Sequence, residues 1–139
     1  MDYAESMTHV LSETSVKATL VAAEPQLFAA DIEATCEFYV KKLGFAVAFT
    51  YGEPVFYAQV FRDGARLNLR QLDEDDLSAL LRARQDMLSA SITVKDADAL
   101  FREFEAAAVD FEQTLKTEPW GARTFVLRDP GGNLILFAG

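Results

Sequence analysis

The sequence predicts an α+β fold of two βαβββ modules whose curved mixed sheets enclose a groove. Three observations predict it. Asp31 to Phe45 (DIEATCEFYVKKLGF) is echoed by Asp96 to Phe111 (DADALFREFEAAAVDF): each has an acidic helix start, a mid-helix aromatic and a phenylalanine at the following strand. Gln59 to Leu69 is a strand, an Arg-Asp-Gly turn and a second strand, and the same logic returns about 66 residues later around Arg128-Asp-Pro-Gly-Gly-Asn133. The period is too long for a solenoid and only two copies fit, so the chain reads as a duplicated unit.

Residues 1 to 22 have mixed polarity and no strong period, and are read as an N-terminal extension. Residues 23–139 form a single domain: a first module at about 24–72, a bridging helix at about 73–86 and a second module at about 87–139. Gln26 to Ala29 is a short first strand. Asp31 caps a helix running to about Lys42, with Ile32, Cys36, Tyr39 and Val40 on the apolar stripe expected of a core-facing helix. Gly44 ends it. Three strands follow, at about Ala46–Tyr51, Val55–Phe61 and Ala65–Gln71. The last alternates strictly: Leu67 and Leu69 point to the helix, Arg66, Asn68 and Arg70 to the other side. A polar, curved far face makes a groove.

Asp73 to Met87 carries the bridging helix through Leu77, Leu80 and Leu81, with the acids Asp73 to Asp76 in its favoured first turn. Ser91–Val94 starts the second module. A helix from about Asp96 to Ala107 buries Leu100, Phe101, Phe104 and Ala107, and strands at Glu112–Lys116, Thr124–Leu127 and Leu134–Phe137 complete the unit. Between the last two lies a turn of sound chemistry. Asp129 bonds the backbone ahead, Pro130 presets φ, and two glycines accept positive φ.

Composition narrows the function. A formal charge of −9 leaves no basic face for a phosphate backbone, so nucleic acid is not an expected partner. No apolar run reaches the ~20 residues of a membrane span. The N-terminus lacks a secretory pattern, and one cysteine forms no internal disulfide, so the expected setting is cytoplasmic. Cys36 reads as a small buried hydrophobe. The single histidine, His9, lies in the extension, so no Ser-His-Asp or Cys-His set can be assembled and no catalytic residue is assigned. Trp120, the only tryptophan, sits between Pro119 and Gly121 and suggests a rigid aromatic surface turned toward a ligand.

Two βαβββ units, with Asp31-x6-Phe-Tyr-x4-Gly-Phe45 in the first and Asp129-Pro-x-Gly-Asn133 near the end, resemble the vicinal oxygen chelate superfamily, which includes glyoxalase I, extradiol dioxygenases and bleomycin-resistance proteins. Pro119-Trp120-Gly121 followed by the Asp129 turn is most similar to the bleomycin-resistance group. The resemblance implies the glyoxalase/bleomycin resistance fold, a domain-swapped homodimer, and a small-molecule ligand stacked between aromatic rings in a groove at the dimer interface. It places ligand contacts at Trp120, at Tyr57 or its neighbour Phe56, and at Gly132; Asn68 and Arg70 on the groove wall complete the expected set, Arg70 standing where that family has a small polar residue. Superfamily enzymes hold a divalent metal at four strand positions, which fall here on Glu24, Asn68, Ser89 and Leu136. A leucine, a serine and an amide are a poor donor set, so no metal and no cofactor are expected. The expected function is metal-independent sequestration of an aromatic or cationic, antibiotic-like compound. The alternative is a lyase or dioxygenase of the same superfamily with an atypical metal site. Arg66 and Arg70 on the groove wall would suit an anionic ligand better than bleomycin.

Overall fold

The computed structural model describes residues 17–139, and His9 and most of the extension lie outside them. In chain order the elements are β1 (Gln26–Ala29), α1 (Ile32–Lys41), β2 (Ala46–Tyr51), β3 (Tyr57–Arg62), β4 (Ala65–Gln71), α2 (Glu74–Arg84), β5 (Ala90–Thr93), α3 (Ala97–Ala106), β6 (Phe111–Thr117), β7 (Arg123–Arg128) and β8 (Leu134–Ala138). They form two four-stranded sheets of the same order, β1-β4-β3-β2 and β5-β8-β7-β6. In each, the first strand runs parallel to its neighbour and the other pairings are antiparallel. This is the duplicated βαβββ arrangement. Residues 17 to 25 carry no regular structure.

The helices begin where local chemistry dictates. Asp31, Asp73 and Asp96 each accept a hydrogen bond from the amide three residues on, at 3.0, 2.8 and 3.0 Å, which satisfies one of the orphan donors of a first turn. The buried face of α1 is Ile32, Thr35 and Tyr39 rather than the expected stripe. Val40 is 41% exposed and Cys36 only half-buried. Thr35 takes the core position because its hydroxyl donates back to Asp31 O at 2.8 Å and leaves no polar atom unpaired. Of the apolar residues on α2 only Leu77 is fully buried.

One hydrophobic cluster spans both modules. Leu27, Ile32, Tyr39, Phe45, Val60 and Leu69 come from the first; Leu100, Phe104, Phe125, Leu127, Ile135 and Phe137 come from the second. The two halves are tied by reciprocal contacts. From the first module, Arg62 grips Glu103 of α3 through two bonds of 2.6 and 3.0 Å and also donates to Leu43 O at 2.9 Å. From the second, the β7–β8 turn enters the first module. Asp129, buried, accepts from the Tyr39 hydroxyl at 2.7 Å, from the amides of Gly131 and Asn133 at 2.9 Å, and from Asn133 Nδ2 at 3.0 Å. Asn133 Nδ2 also reaches Phe28 O at 2.8 Å. A methyl group on Gly131 would overlap that same carbonyl oxygen, so only glycine lets the turn sit so close.

Burial pushes the Asp129 carboxyl above the ordinary carboxylate range, against the pull of the hydrogen bonds from Tyr39, Asn133 and Gly131. Burial, and then the Asp129 charge, push the Tyr39 phenol well above its usual value. A phenol whose folded pKa is raised stabilises the fold fully below its unfolded pKa and loses that contribution as pH climbs toward the folded one. Tyr39 should therefore ionise only as the fold opens. Alkaline titration followed by phenolate absorbance should show a step coincident with loss of the circular dichroism signal, and Tyr39→Phe should lack it. In urea denaturation at neutral pH, Tyr39→Phe should cost about 1–3 kcal/mol, the range for stranding a buried partner.

Candidate functional site

The helix-facing sides of both sheets are used up in the core, so chemistry is left to the opposite faces. On the first sheet the register places Gln26, Asn68 and Gln59 across one row, Phe28, Arg70 and Tyr57 across the next, and Arg66 opposite Phe61. The edge strand β2 adds a row of its own because of a register shift between Val47 and Phe49. Strict alternation from Ala46 would send Phe49 toward the helix. The shift instead sets Phe49 beside Gln59 and Tyr51 beside Tyr57, on the open face.

This face is polar at its centre and aromatic at its side. Arg66 Nη1 donates to Gln59 Oε1 at 2.9 Å. The Gln59 amide donates to Asn68 Oδ1 at 2.9 Å and to Glu24 Oε2 at 3.0 Å. Gln59 is buried and so fixes the direction of Glu24, Asn68 and Arg66 together. The Tyr57 hydroxyl donates to Gln26 Oε1 at 2.9 Å, and the Tyr57 ring lies nearly parallel to Phe49 with centroids 6.3 Å apart. The Arg66 guanidinium rests over the Phe61 ring at 5.1 Å. All six residues of β2 are exposed, including Val47, Phe49 and Tyr51.

The second sheet offers a plainer surface, with Val126 opposite Leu136, Leu136 opposite Ser91, and Thr124 opposite Ala138. Its distinctive feature is the β6–β7 loop. Gly121 N donates to Glu118 O at 2.9 Å and Glu118 N to Ala122 O at 2.8 Å, closing a turn with Pro119 and Trp120 at its centre. The Glu118 carboxylate, accepting from the Thr124 hydroxyl at 2.8 Å, pins the base of the loop. Trp120 is held outward and is 76% exposed.

The six expected contact residues therefore fall in four places. Tyr57, Asn68 and Arg70 share the open face of the first sheet. Phe56 and Tyr57 both fall within the strand expected at Val55–Phe61. The strand instead begins at Tyr57, and neither side chain is in the core. The turn preceding β3 leaves the Phe56 ring outside the ladder, edge-on to Tyr51 at 5.7 Å. Trp120 and Gly132 lie at opposite ends of β7, roughly 20 Å apart by the rise of a strand. No aromatic ring among the described residues lies against Trp120. Gly132, at φ +86°, sits against α2, where an added Cβ would lie 2.9 Å from Leu81 Cδ1. Residue-level reading missed Phe49, Tyr51 and Gln59. Only the position of the register shift would have revealed the first two.

The superfamily metal positions do not fit an ion. Glu24 and Asn68 are both bonded to the Gln59 amide, the Ser89 hydroxyl lies 3.4 Å from Asn133 Oδ1, and Leu136 has no donor atom. The described residues contain no cluster of three or more His, Cys, Asp or Glu side chains. Among them, no helix is long and apolar enough to cross a membrane.

This duplicated fold, with open sheet faces and an outward tryptophan, defines the class. Residues 17–137 match the Glyoxalase/Bleomycin resistance protein/Dioxygenase superfamily, and the chain belongs to it. It is similar to the bleomycin-binding protein of the bleomycin-producing Streptomyces verticillus, solved with copper(II)-bleomycin, at 27% identity over 87% of this chain and 97% of that one, TM-score 0.68. Two further structures share the fold. The bleomycin resistance determinant encoded on transposon Tn5 is 18% identical over 86% and 97% of the two chains, TM-score 0.70. TioX from Micromonospora sp. ML1 is 22% identical over 84% and 98%, TM-score 0.65. Comparison with curated proteins gives no significant match.

Gly132→Ala should destabilise the protein by about 1–3 kcal/mol, since it forces a Cβ into a positive-φ position and against Leu81. Urea unfolding of the single variant and of Gly132→Ala/Leu81→Ala should show the second change recovering part of the loss.

Proposed function

We propose that this is a small-molecule-binding protein of the bleomycin-binding kind. It sequesters an aromatic or cationic, antibiotic-like ligand by stacking in a groove between two copies of the chain, with no metal chemistry. The observation that carries the reading is the row of aromatic rings, exposed Phe49 and Tyr51 with half-buried Tyr57, beside a fixed polar centre on the open face of the first sheet. Exposed rings held in register give flat ligands a stacking surface at little entropic cost, each contact contributing roughly 0.5–1.5 kcal/mol.

A single chain carries Trp120 on the β6–β7 loop of the other sheet with no ring against it, and a second copy would bring a tryptophan loop over the open face. The fully exposed edge strand β2 suits that pairing, because an uncovered apolar edge is otherwise an aggregation hazard. The overall charge of −9 favours approach of a cationic compound. On the face itself the Arg66 charge is engaged by Gln59 and the Phe61 ring. The similarity to the Streptomyces verticillus protein favours a bleomycin-type compound among flat cations. The alternative of a metal-dependent lyase or dioxygenase is not favoured by the donor set at Glu24, Asn68, Ser89 and Leu136.

Trp120 is a ready reporter. Titration with bleomycin, using protein dialysed against a chelator, should change its emission and saturate at one ligand per chain. Light scattering should give a particle of twice the 15.4 kDa chain mass. Trp120→Ala should weaken binding, read by calorimetry, at least about tenfold, or ~1.4 kcal/mol. Its exposure means the fold should survive the change. Unaltered affinity in that variant would sink the stacking arrangement, and absence of any bleomycin binding would sink the ligand class.

A further inference from the structure

A cleft of about 810 Å³ opens at the seam between the two modules, and of the residues placed on the binding face above it is lined by Arg66 alone. Its walls are apolar, Pro25 and Ala65 from the first module and Ile92 and Val94 from the second, over the buried core residues Leu67 and Phe104. Its rim carries Arg62, Asp63, Arg66 and Lys95, with residues Ser91 and Thr93 alongside.

The duplication explains why the cleft exists on one side only. Aligned by their helix caps Asp31 and Asp96, the halves place Phe28 at the position of Thr93 and Tyr39 at the position of Phe104. In the first module, Phe28 and Tyr39 are the residues that the β7–β8 turn reaches, through Asn133 and Asp129. That turn has five residues between its last strand pair, Arg128 and Leu134. Its counterpart between Arg62 and Ala65 has only two, Asp63 and Gly64. The short turn does not reach Thr93 and Phe104, and the cleft opens over them. Ala65, close to the position of Asn133, is too small to substitute for it. The other flank is open for a related reason. β1 pairs with β4 only from Asn68 onward, so Ala65 to Leu67 have no strand beside them on that side among the described residues.

The charges in the lining decide what fits. Arg62 is neutralised by its two bonds to Glu103. Asp63 is the one carboxylate in the lining, set against Arg66 and Lys95. Among the described residues Lys95 makes no ion pair. A chain of net charge −9 thus presents a locally positive rim over apolar walls. From this we infer a second binding site, for an amphipathic organic anion: an apolar body along Pro25, Ala65, Ile92 and Val94, with a single carboxylate at Lys95. The volume lies within the range of small-molecule pockets, roughly 300–1,000 Å³.

The test uses the full chain and three probes with one apolar tail and different heads: decanoate, decanol and decyltrimethylammonium, each below its aggregation threshold and read by calorimetry. Decanoate should bind at least tenfold more tightly than either of the others. Across hexanoate, octanoate and decanoate each added methylene should tighten binding about fourfold, the step expected for a buried CH₂. Lys95→Glu, at an exposed position, should weaken decanoate at least tenfold. Ala65→Phe should fill the cleft and abolish binding; if that variant fails to fold, Lys95→Glu decides alone. Equal binding of all three heads, or decanoate affinity unchanged by Lys95→Glu, would overturn the site. Trp120→Ala should leave decanoate binding as it is, so this result stands or falls apart from that with bleomycin.

Discussion

A buried carboxylate holds the two halves of this molecule together. Asp129 has its oxygens taken by the Tyr39 hydroxyl, two backbone amides and the Asn133 amide, and Asn133 in turn fastens to a carbonyl of β1. Such a group is costly to bury with any donor missing, so the turn, the strand it touches and helix α1 form or fail as a unit. The cluster spanning both modules can be continuous because this plug sets their spacing. No buried side-chain nitrogen or oxygen among the described residues lacks a partner.

That constraint determines which surfaces are left uncovered. Each sheet packs one face on the shared core, and the second face of the first sheet then carries whatever the alternate residues supply. Here they supply Gln59, a buried amide that orients Glu24, Asn68 and Arg66 at once. A side chain that bonds three neighbours gives a fixed polar centre rather than a set of mobile charges. The aromatic rings of β2 and β3 lie beside it in register. The surface is ordered before any ligand arrives, which lowers the ordering cost of binding.

How much of this was legible in the chain follows from the range of the forces involved. The helices are written locally, in aspartate caps and apolar spacing, and the duplication shows directly in Asp31–Phe45 and Asp96–Phe111. The polar row of Asn68 and Arg70 could be read from strict alternation in β4. Phe49 and Tyr51 could not, because their direction depends on a register shift against β3 that nothing in AVAFTY marks. Phe56 was read as a strand residue because its neighbours are β-formers, yet the turn before β3 delays the ladder by two residues. Thr35 rather than Val40 reached the core of α1 because a backbone acceptor one turn earlier satisfied its hydroxyl. Arg128-Asp-Pro-Gly-Gly-Asn133 was legible as a turn, but its role as a plug was not. The residues that receive it, Phe28 and Tyr39, lie about 100 and 90 positions away.

The asymmetry between the two turns shows what duplication permits. In a symmetric pair both turns would cross the seam, and both helices would carry a hydroxyl to receive them. One such lock suffices to fix the spacing of two rigid modules. The other side of the seam is then held by an exposed ion pair, Arg62 with Glu103, which tolerates a gap beneath it as a buried network would not. Phe104 in place of a tyrosine, and Ala65 near the place of an asparagine, remove the polar groups that would demand a plug. What is left is an apolar-walled cleft under a charged rim. The same change that relieves the second turn of its structural duty creates a surface suited to an amphipathic guest.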